Sequence, residues 1–271
     1  MAAITAKMVS ELREKTGAGM MDCKRALVAA DGDVELAIEN LRKSGVAKAE
    51  KKSGRATEQG KAWTRISGKE AAIVEMLCET DFAAKTPKFG ALVEAMLDGA
   101  LKIDADGDIV AALNEQEAAV ITSHIATIGE NMSLRRAEKW QASEGSCFAS
   151  YHHMDGRVSV LVEVEGESDP AFLNDLCLHI AAFSPRYISS EDVPADVIQK
   201  EKEIAAAADP KLAGKPAEML DKILAGKINR FFSEVCLENQ AWVKDDKTTL
   251  KKLKPSVKVK RFVRWAIGEE L

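Results

Sequence analysis

The sequence predicts an α+β protein, in which a unit of three helices precedes two related α+β subdomains with antiparallel sheets. Apolar residues recur at helical spacing through residues 1–45. Farther along, two segments share one plan, in which a strand hairpin leads into an apolar helix. Apolar residues make up 46% of the 271 residues, so the chain can form two or three domains with their own cores.

The N-terminal unit comprises three predicted helices. Thr5 can accept a hydrogen bond from an unpaired backbone N–H, and it caps a first helix that ends at Gly17. A second helix ends near Gly32, and Asp33 caps a third, which we expect to end at Gly45. The apolar faces of the three helices are, in order, Met8, Val9 and Leu12; Cys23, Ala26, Leu27 and Ala30; and Val34, Ala37, Ile38 and Leu41.

Two adjacent methionines lie at the start of the second helix. Neighbouring side chains point about 100° apart on a helix, so Met20 and Met21 cannot share one direction of burial. Spacing alone favours one core methionine and one ordinary surface methionine. The alternative is an apolar patch for a partner protein, since flexible thioether side chains suit such surfaces.

The two halves of the internal repeat align on Gly68 and Gly156. Each glycine lies in a predicted hairpin turn, where a positive φ angle is needed. The predicted strands span residues 62–66 and 71–77 in the first half, and 147–152 and 158–164 in the second. The alignment continues without a gap, so that Glu75 matches Glu163, and each hairpin leads into an apolar helix.

The two halves differ where that helix begins. In the second half Asp169 precedes Pro170, a normal start with an N-cap and a proline at the first helical position. In the first half Asp81 occupies the cap position and Phe82 replaces the proline. The residues alone favour a cap beside a core aromatic. The alternative is an exposed aromatic, backed by a carboxylate, that anchors an interface.

The remaining segments are predicted as helices and strands. Residues 109–128 form one helix between the two halves, and Arg135 and Arg136 after it favour a packing or solvated role over phosphate binding. Residues 194–208 and 217–232 form two helices separated by proline and glycine, which indicates an antiparallel hairpin.

A four-part division of the chain follows from these elements. Strands predicted at 234–237 and 259–267 rejoin the second subdomain, so the helical hairpin is an insertion in it. The predicted parts are the three-helix domain and linker, 1–54; the first core subdomain, 55–140; the second, 141–190 with 234–271; and the hairpin arm, 191–233.

Composition excludes several classes of protein. The net charge of −5 argues against a surface that binds nucleic acid throughout, and no apolar run reaches the roughly 20 residues of a membrane helix. The N-terminus has no signal or transit pattern, which predicts the cytoplasm. Five scattered cysteines without a CxxC pair are typical of free thiols in a reducing compartment.

No residue pattern predicts an enzyme, a metal site or a cofactor. HExxH, GxxxxGKS/T, GxGxxG and GxSxG motifs are absent. A thiol hydrolase that uses Cys147 with His152 or His153 is the rival enzyme hypothesis. These residues would lie on one predicted strand, where such a pair rarely has a third group to orient it.

The stretch TGAGMMDCKRAL, residues 16–27, resembles the N-terminal signature of the elongation factor Ts family. The resemblance implies a ubiquitin-associated-like domain of three helices. It also implies that Arg13, Met20, Met21 and Lys24 lie at or near the contact with the GTPase elongation factor Tu.

The stretch CETDFAAK, residues 78–85, resembles the invasive loop of the same family. The resemblance implies that this loop, with Thr80, Asp81 and Phe82, enters the GTPase domain of elongation factor Tu beside its magnesium and phosphate site. Glu79 stands where many relatives carry glutamine. Residues 151–153 resemble the family's Tyr-x-His, which places His153 near the same contact.

The resemblance covers nearly the whole chain and implies a bacterial exchange factor. Such a protein releases GDP from elongation factor Tu without covalent chemistry, cofactor or nucleotide site of its own. Relatives continue past the glycine that matches Gly268 into a C-terminal helical module, so we expect that partner contact to be missing here. The rival binding hypothesis is an RNA or ubiquitin-like adaptor, which would bind without changing nucleotide release.

Overall fold

The computed structural model describes residues 4–167, 169–208 and 217–270. They form two compact units, and the predicted α+β class is confirmed. The first unit takes in Met1–Gln141, Met154–Val158 and Trp265–Leu271, and the second takes in Ala142–His153 and Ser159–Arg264. The predicted four-part division stays a prediction.

The first unit contains most of the N-terminal half of the chain. Its elements are α1 Ala6–Thr16, α2 Met20–Ala29, α3 Val34–Glu50, β1 Gln59–Ser67, β2 Glu70–Cys78, α4 Asp81–Ala84, α5 Pro87–Lys102, β3 Gly107–Asp108, α6 Val110–Gln116, α7 Ala118–Ile128 and β4 Met132–Gln141. The caps predicted at Thr5 and Asp33 are confirmed, because their side chains accept from the backbone N–H groups of Met8 and Leu36.

The sheet of the first unit has the strand order β1-β2-β4-β3, and every neighbouring pair is antiparallel. Strand β2 is buried from residue 71 to residue 78, because it lies between two strands and under α5. Phe89, Leu92, Met96 and Leu97 of α5 are fully buried against it. The chain leaves β2 directly into the loop that precedes α4.

Strand β4 has no counterpart in the sequence prediction, which left residues 132–141 unassigned. Arg135 donates to the buried carboxylate of Glu75 at 3.2 Å, and Arg136 donates to the other oxygen of the same group. The packing role favoured for these two residues is therefore confirmed.

The second unit contains the other half of the repeat. Its elements, two of which extend into the first unit by a residue or two, are β5 Ser146–His153, β6 Val158–Glu165, α8 Pro170–Phe183, α9 Ala195–Ala207, α10 Ala217–Val235, β7 Ala241–Trp242, β8 Asp245–Thr249, α11 Leu250–Leu253 and β9 Lys258–Ala266. Its main sheet has the order β5-β6-β9, and α8 buries Phe172, Leu173, Leu176 and Ile180 in the core.

The predicted repeat is confirmed and extends further than the sequence indicated. Both hairpins form, and their turn glycines have φ angles of 60° at Gly68 and 84° at Gly156. A third strand lies beside the second strand of each hairpin. The aligned carboxylates are both buried, and Glu163 accepts from Arg261 of β9 at 2.8 Å, as Glu75 accepts from β4.

Two helix boundaries predicted from glycine and apolar spacing are wrong. Helix α3 continues through Gly45 to Glu50, because that glycine is buried where α3 crosses α7. A Cβ atom at Gly45 would lie only 3.3 Å from the Cβ of Ala126. The single helix predicted over 109–128 is two helices, since the backbone turns at Glu117 with a ψ of 11°.

The helices predicted for the arm form, and α9 packs against α10. The predicted turn between them, with Pro210 and residues 214–216, lies outside the described residues. The strand predicted at 234–237 is wrong. Helix α10 runs on to Val235, and Cys236 makes only an isolated bridge with Tyr187.

The two turn glycines allow a matched test of packing against backbone conformation. Gly68→Ala meets no atom within 4 Å, so it should cost only the left-handed conformation, about 1–2 kcal/mol. In Gly156→Ala the new Cβ would lie 2.8 Å from the ring of Trp63 and 2.9 Å from the carbonyl oxygen of Ala62. We expect a further loss of roughly 1–3 kcal/mol in the urea unfolding free energy. Equal losses would contradict this packing.

The buried His179 should make the second unit sensitive to acid. Its Nδ1 accepts from the Val243 N–H at 3.2 Å and its Nε2 lies 3.1 Å from Gln240 Oε1, so a neutral ring protonated on Nε2 satisfies both contacts. Burial lowers the pKa of His179, although the bond to Gln240 opposes this.

The sign of the effect follows from proton linkage. Below the ordinary histidine pKa, the unfolded chain binds a proton that folded His179 resists, so the unfolding free energy falls as the pH falls. We expect His179→Gln to show a smaller loss between pH 7.5 and 5.5 in urea titrations. Leu253→Ala, at an exposed position without a titratable group, is the control and should keep the wild-type slope. An unchanged slope in His179→Gln would contradict the assignment.

Candidate partner-binding site

The segment between β2 and α5 presents an aromatic side chain to solvent. Helix α4 is a single turn, and its residues face two ways. Ala83 and Ala84 are buried in the core of the first unit, whereas 81% of Phe82 is exposed. The expectation, from residues alone, that Phe82 packs in the core is wrong. The aromatic side chain instead projects into solvent.

The cap of α4 is Thr80, one position before the predicted cap. Its hydroxyl oxygen accepts from the Ala83 N–H at 3.2 Å. Asp81 lies within the first turn and pairs with Lys85 at 2.7 Å. The hydrogen bond from Lys85 holds the pKa of Asp81 below its usual value, so this exposed carboxylate is charged at neutral pH.

The loop before α4 is held by the segment between α7 and β4. Thr80 donates twice to Glu130, from its hydroxyl at 2.7 Å and from its backbone N–H at 2.9 Å. In the opposite direction, the backbone N–H of Asn131 donates to Glu79 at 2.6 Å. Each of the two adjacent segments therefore supplies a carboxylate to the other's backbone. We call these four residues the reciprocal clamp.

The clamp is joined to the turn that follows α3. Arg55 donates to Glu79 at 3.3 Å, and the side chain of Asn131 donates to the Arg55 carbonyl at 2.8 Å. Lys52 donates to the carbonyl of Gly129 at 2.6 Å. The residues that follow α3 thus contact the same segment that holds the Phe82 loop.

Both methionines of the N-terminal bundle are exposed, Met20 by 56% and Met21 by 61%. The expectation that one of them is a core residue is wrong. Met20 is the first residue of α2, and helical side chains lean toward the N-terminus, so it extends past the small core. Arg13 and Lys24 are exposed as well.

One contact joins the loop before α2 to the region that follows α4. Lys88, at the start of α5, donates to the Gly17 carbonyl at 3.2 Å. The chain therefore brings the methionine end of α2 and the Phe82 loop onto one unit. His153 belongs to the other unit, where it is exposed and its Nδ1 lies 3.2 Å from the hydroxyl of Tyr151.

The thiols of Cys147 and Cys78 are not activated as nucleophiles. Burial raises the pKa of Cys147, whose Sγ donates to the Glu167 carbonyl at 3.2 Å. Burial also lowers the pKa of His152 to about 4, so a thiolate paired with an imidazolium is disfavoured at neutral pH. Next to the loop, burial raises the pKa of Cys78 to about 12.

Neither a cluster of metal ligands nor a membrane-length apolar helix occurs among the described residues. Within the described part of the chain, no three His, Cys, Asp or Glu side chains are grouped as metal ligands would be. Over the same residues, no helix combines the length and apolarity needed to cross a bilayer.

Sequence reasoning missed the residues that hold the loop, namely Arg55, Glu130 and Asn131. Nothing in the spacing of residues 128–132 indicated what they contact. Glu130 lies fifty residues from Thr80 along the chain, so only the antiparallel register of β2 and β4 brings them together. Had the sequence predicted that Cys78 pairs with Met132, the residues on either side of that pair would have been expected to lie in contact.

Comparison with known proteins decides the family. The family model described as Elongation factor TS matches residues 79–269, which include the clamp, the Phe82 loop and both sheets' third strands. The chain belongs to the elongation factor Ts family. It is therefore a translation elongation factor of the exchange-factor kind, as the resemblance implied.

Two relatives extend the match to the N-terminal bundle. Elongation factor Ts of Thioalkalivibrio sulfidiphilus is 44% identical over an aligned length of 277 residues, and the alignment covers 98% of this chain and 92% of that protein. Elongation factor Ts of Photobacterium profundum is 42% identical over an aligned length of 272 residues, and the alignment covers 99% of this chain and 93% of that protein. The elongation factor Ts likeness thus includes residues that precede the 79–269 match.

The corrected cap leads to a prediction about stability. Thr80→Ala removes the hydroxyl that accepts from Ala83, and we expect it to lower the unfolding free energy by about 0.5–2 kcal/mol. Asp81→Ala removes an exposed pair with Lys85 and leaves the Thr80 cap in place, so its urea midpoint should match the wild type. The reverse order of the two variants would restore Asp81 as the cap.

Proposed function

We propose that this chain binds elongation factor Tu in its GDP-bound and nucleotide-free forms and promotes GDP release, which allows GTP to bind. The Phe82 loop enters beside the magnesium and phosphate site of the GTPase. The observation that carries this proposal is the 81% exposure of Phe82 on a helix whose neighbouring residues are anchored. Family membership supplies the identity of the partner.

An exposed phenylalanine on an anchored turn suits insertion into a partner. Burying such a side chain is favourable by about 1.5–3 kcal/mol, and aromatic residues often dominate interfaces. The buried Ala83 and Ala84 hold the turn from below, so Phe82 keeps its position before the partner arrives. Little conformational entropy is then lost when it inserts.

Exchange requires different affinities for different states of the GTPase. The factor must bind nucleotide-free elongation factor Tu more tightly than the GDP form. By linkage, GDP then lowers the affinity for the factor, and the factor lowers the affinity for GDP by the same amount. Each 1.4 kcal/mol of this antagonism is a tenfold change in affinity. Magnesium helps to hold the phosphates of GDP. A side chain that displaces the groups around the magnesium ion therefore weakens the binding of GDP.

The remaining site residues form further contacts in this proposal. Met20 and Met21 supply an apolar patch against the outside of the GTPase domain, flanked by the charges of Arg13 and Lys24. His153 adds a contact from the second unit. The factor works by binding alone, in the cytoplasm, without covalent catalysis, a cofactor, a nucleotide site, a nucleic-acid partner or a membrane.

Phe82→Ala tests the proposal. The side chain is exposed, so its loss should change the unfolding free energy by no more than about 0.5 kcal/mol. The release of fluorescent GDP from elongation factor Tu, measured by stopped flow at saturating factor, should nevertheless slow strongly. Rapid release with a folded variant would rule out Phe82 as the inserted residue.

Two controls frame that measurement. Phe89→Ala truncates a fully buried phenylalanine of the same unit and should cost about 3–5 kcal/mol of stability. Leu253→Ala truncates an exposed apolar side chain of the second unit, 42% exposed, and should alter neither stability nor GDP release. A loss of exchange in Leu253→Ala would show that the assay responds to any apolar surface change.

A further inference from the structure

We infer that Glu130 is a positioning residue for the Phe82 loop, which it holds in the geometry needed for insertion. Both of its carboxylate oxygens are occupied by Thr80, one by the hydroxyl at 2.7 Å and one by the backbone N–H at 2.9 Å. The inference rests on the proposed function, because it concerns how the exchange loop is held. Glu130 itself need not touch the GTPase.

The contact with Glu130 fixes the cap of α4. Because the Thr80 hydroxyl gives its only proton to Glu130, its oxygen is left to accept the Ala83 N–H at 3.2 Å. Without the carboxylate the hydroxyl can rotate and this acceptor is no longer directed at the helix. Glu130 therefore orients Phe82 through Thr80, at a distance from the side chain that inserts.

The helix needs such support because it is too short to persist alone. A single turn gains too few hydrogen bonds to offset the entropy of ordering its residues. Its own backbone bonds are long, 3.2 Å from Ala84 to Thr80 and 3.3 Å from Lys85 to Asp81. Buried Ala83 and Ala84 hold one side of the turn, and Glu130 holds its N-terminus.

The reciprocal clamp gives Glu130 a fixed position of its own. The neighbouring Asn131 N–H donates to Glu79 at 2.6 Å, and Glu79 is also paired with Arg55. Each of the two segments thus supplies a carboxylate that accepts hydrogen bonds from the other. These bonds hold Glu130 next to the Phe82 loop. If the turn had to become ordered when Phe82 inserts, the lost backbone freedom would slow the insertion step by roughly tenfold.

The test is a double-mutant cycle on GDP release from elongation factor Tu. Wild type, Glu130→Ala, Phe82→Ala and the double variant are compared by stopped flow at saturating factor. We expect Glu130→Ala to slow release about tenfold and Glu130→Gln to slow it less, since an amide oxygen still accepts one bond from Thr80. Glu144→Ala removes an exposed carboxylate elsewhere and should have the wild-type rate.

The decisive comparison is made in the background without the aromatic ring. If Glu130 acts through Phe82, the double variant releases GDP no more slowly than Phe82→Ala alone. A further slowing in the double variant would overturn the inference, because it would mean a direct contact or a general loss of structure. This outcome leaves the proposed function intact.

Amide hydrogen exchange supplies a readout that does not depend on the GTPase. In Glu130→Ala the amides of Thr80 and Ala83 should lose at least tenfold protection, while β2 amides such as that of Val74 keep theirs. Unchanged protection at Thr80 would overturn the inference. Full activity of Phe82→Ala would overturn the proposed function instead, and the exchange data would then decide the role of Glu130 by themselves.

Discussion

The buried carboxylate at the centre of each sheet is the constraint on which the rest of the fold depends. Glu75 and Glu163 occupy matching positions of the repeat, and each is almost wholly removed from solvent. A buried charge without a partner is strongly destabilising, by about 3–5 kcal/mol when its partner is removed. The third strand of each sheet supplies that partner, Arg135 with Arg136 in one unit and Arg261 in the other.

These pairs set the register of the strands, which in turn sets the site. For Glu163, burial acts to raise the pKa, but the N–H of Ser143 and the guanidinium of Arg261 outweigh it and hold the pKa below its usual value. For Glu75, the two arginines fix β4 beside β2, so that Cys78 pairs with Met132. The segments that follow and precede these residues are then adjacent, and the reciprocal clamp can form between them.

The two halves of the repeat differ in how the chain passes from the hairpin to the long helix. In the second half Asp169 and Pro170 begin α8 directly after the strand. In the first half an equivalent start, with Thr86 as cap and Pro87 after it, occurs only after α4. The additional turn carries Phe82. An aromatic residue is thus placed on the surface before the long helix begins.

Short-range chemistry was readable from the sequence. The caps at Thr5 and Asp33, the hairpin glycines at Gly68 and Gly156, and the helical faces all follow from interactions within a few residues. The motif around Phe82 also resembled a partner-binding loop before any contact was known. The hypothesis of elongation factor Ts membership needed nothing more than these local patterns.

The tertiary structure decided what depends on distant residues. Whether Gly45 ends a helix or lies in a close helix crossing depends on Ala126, and whether Arg136 binds solvent or a carboxylate depends on Glu75. Likewise, Phe82 could have been a core residue until the burial of Ala83 showed which side of the turn faces inward. A residue's neighbours along the chain determine its local conformation, but the strand register determines the residues that pack against it, and burial and charge pairing are properties of that packing.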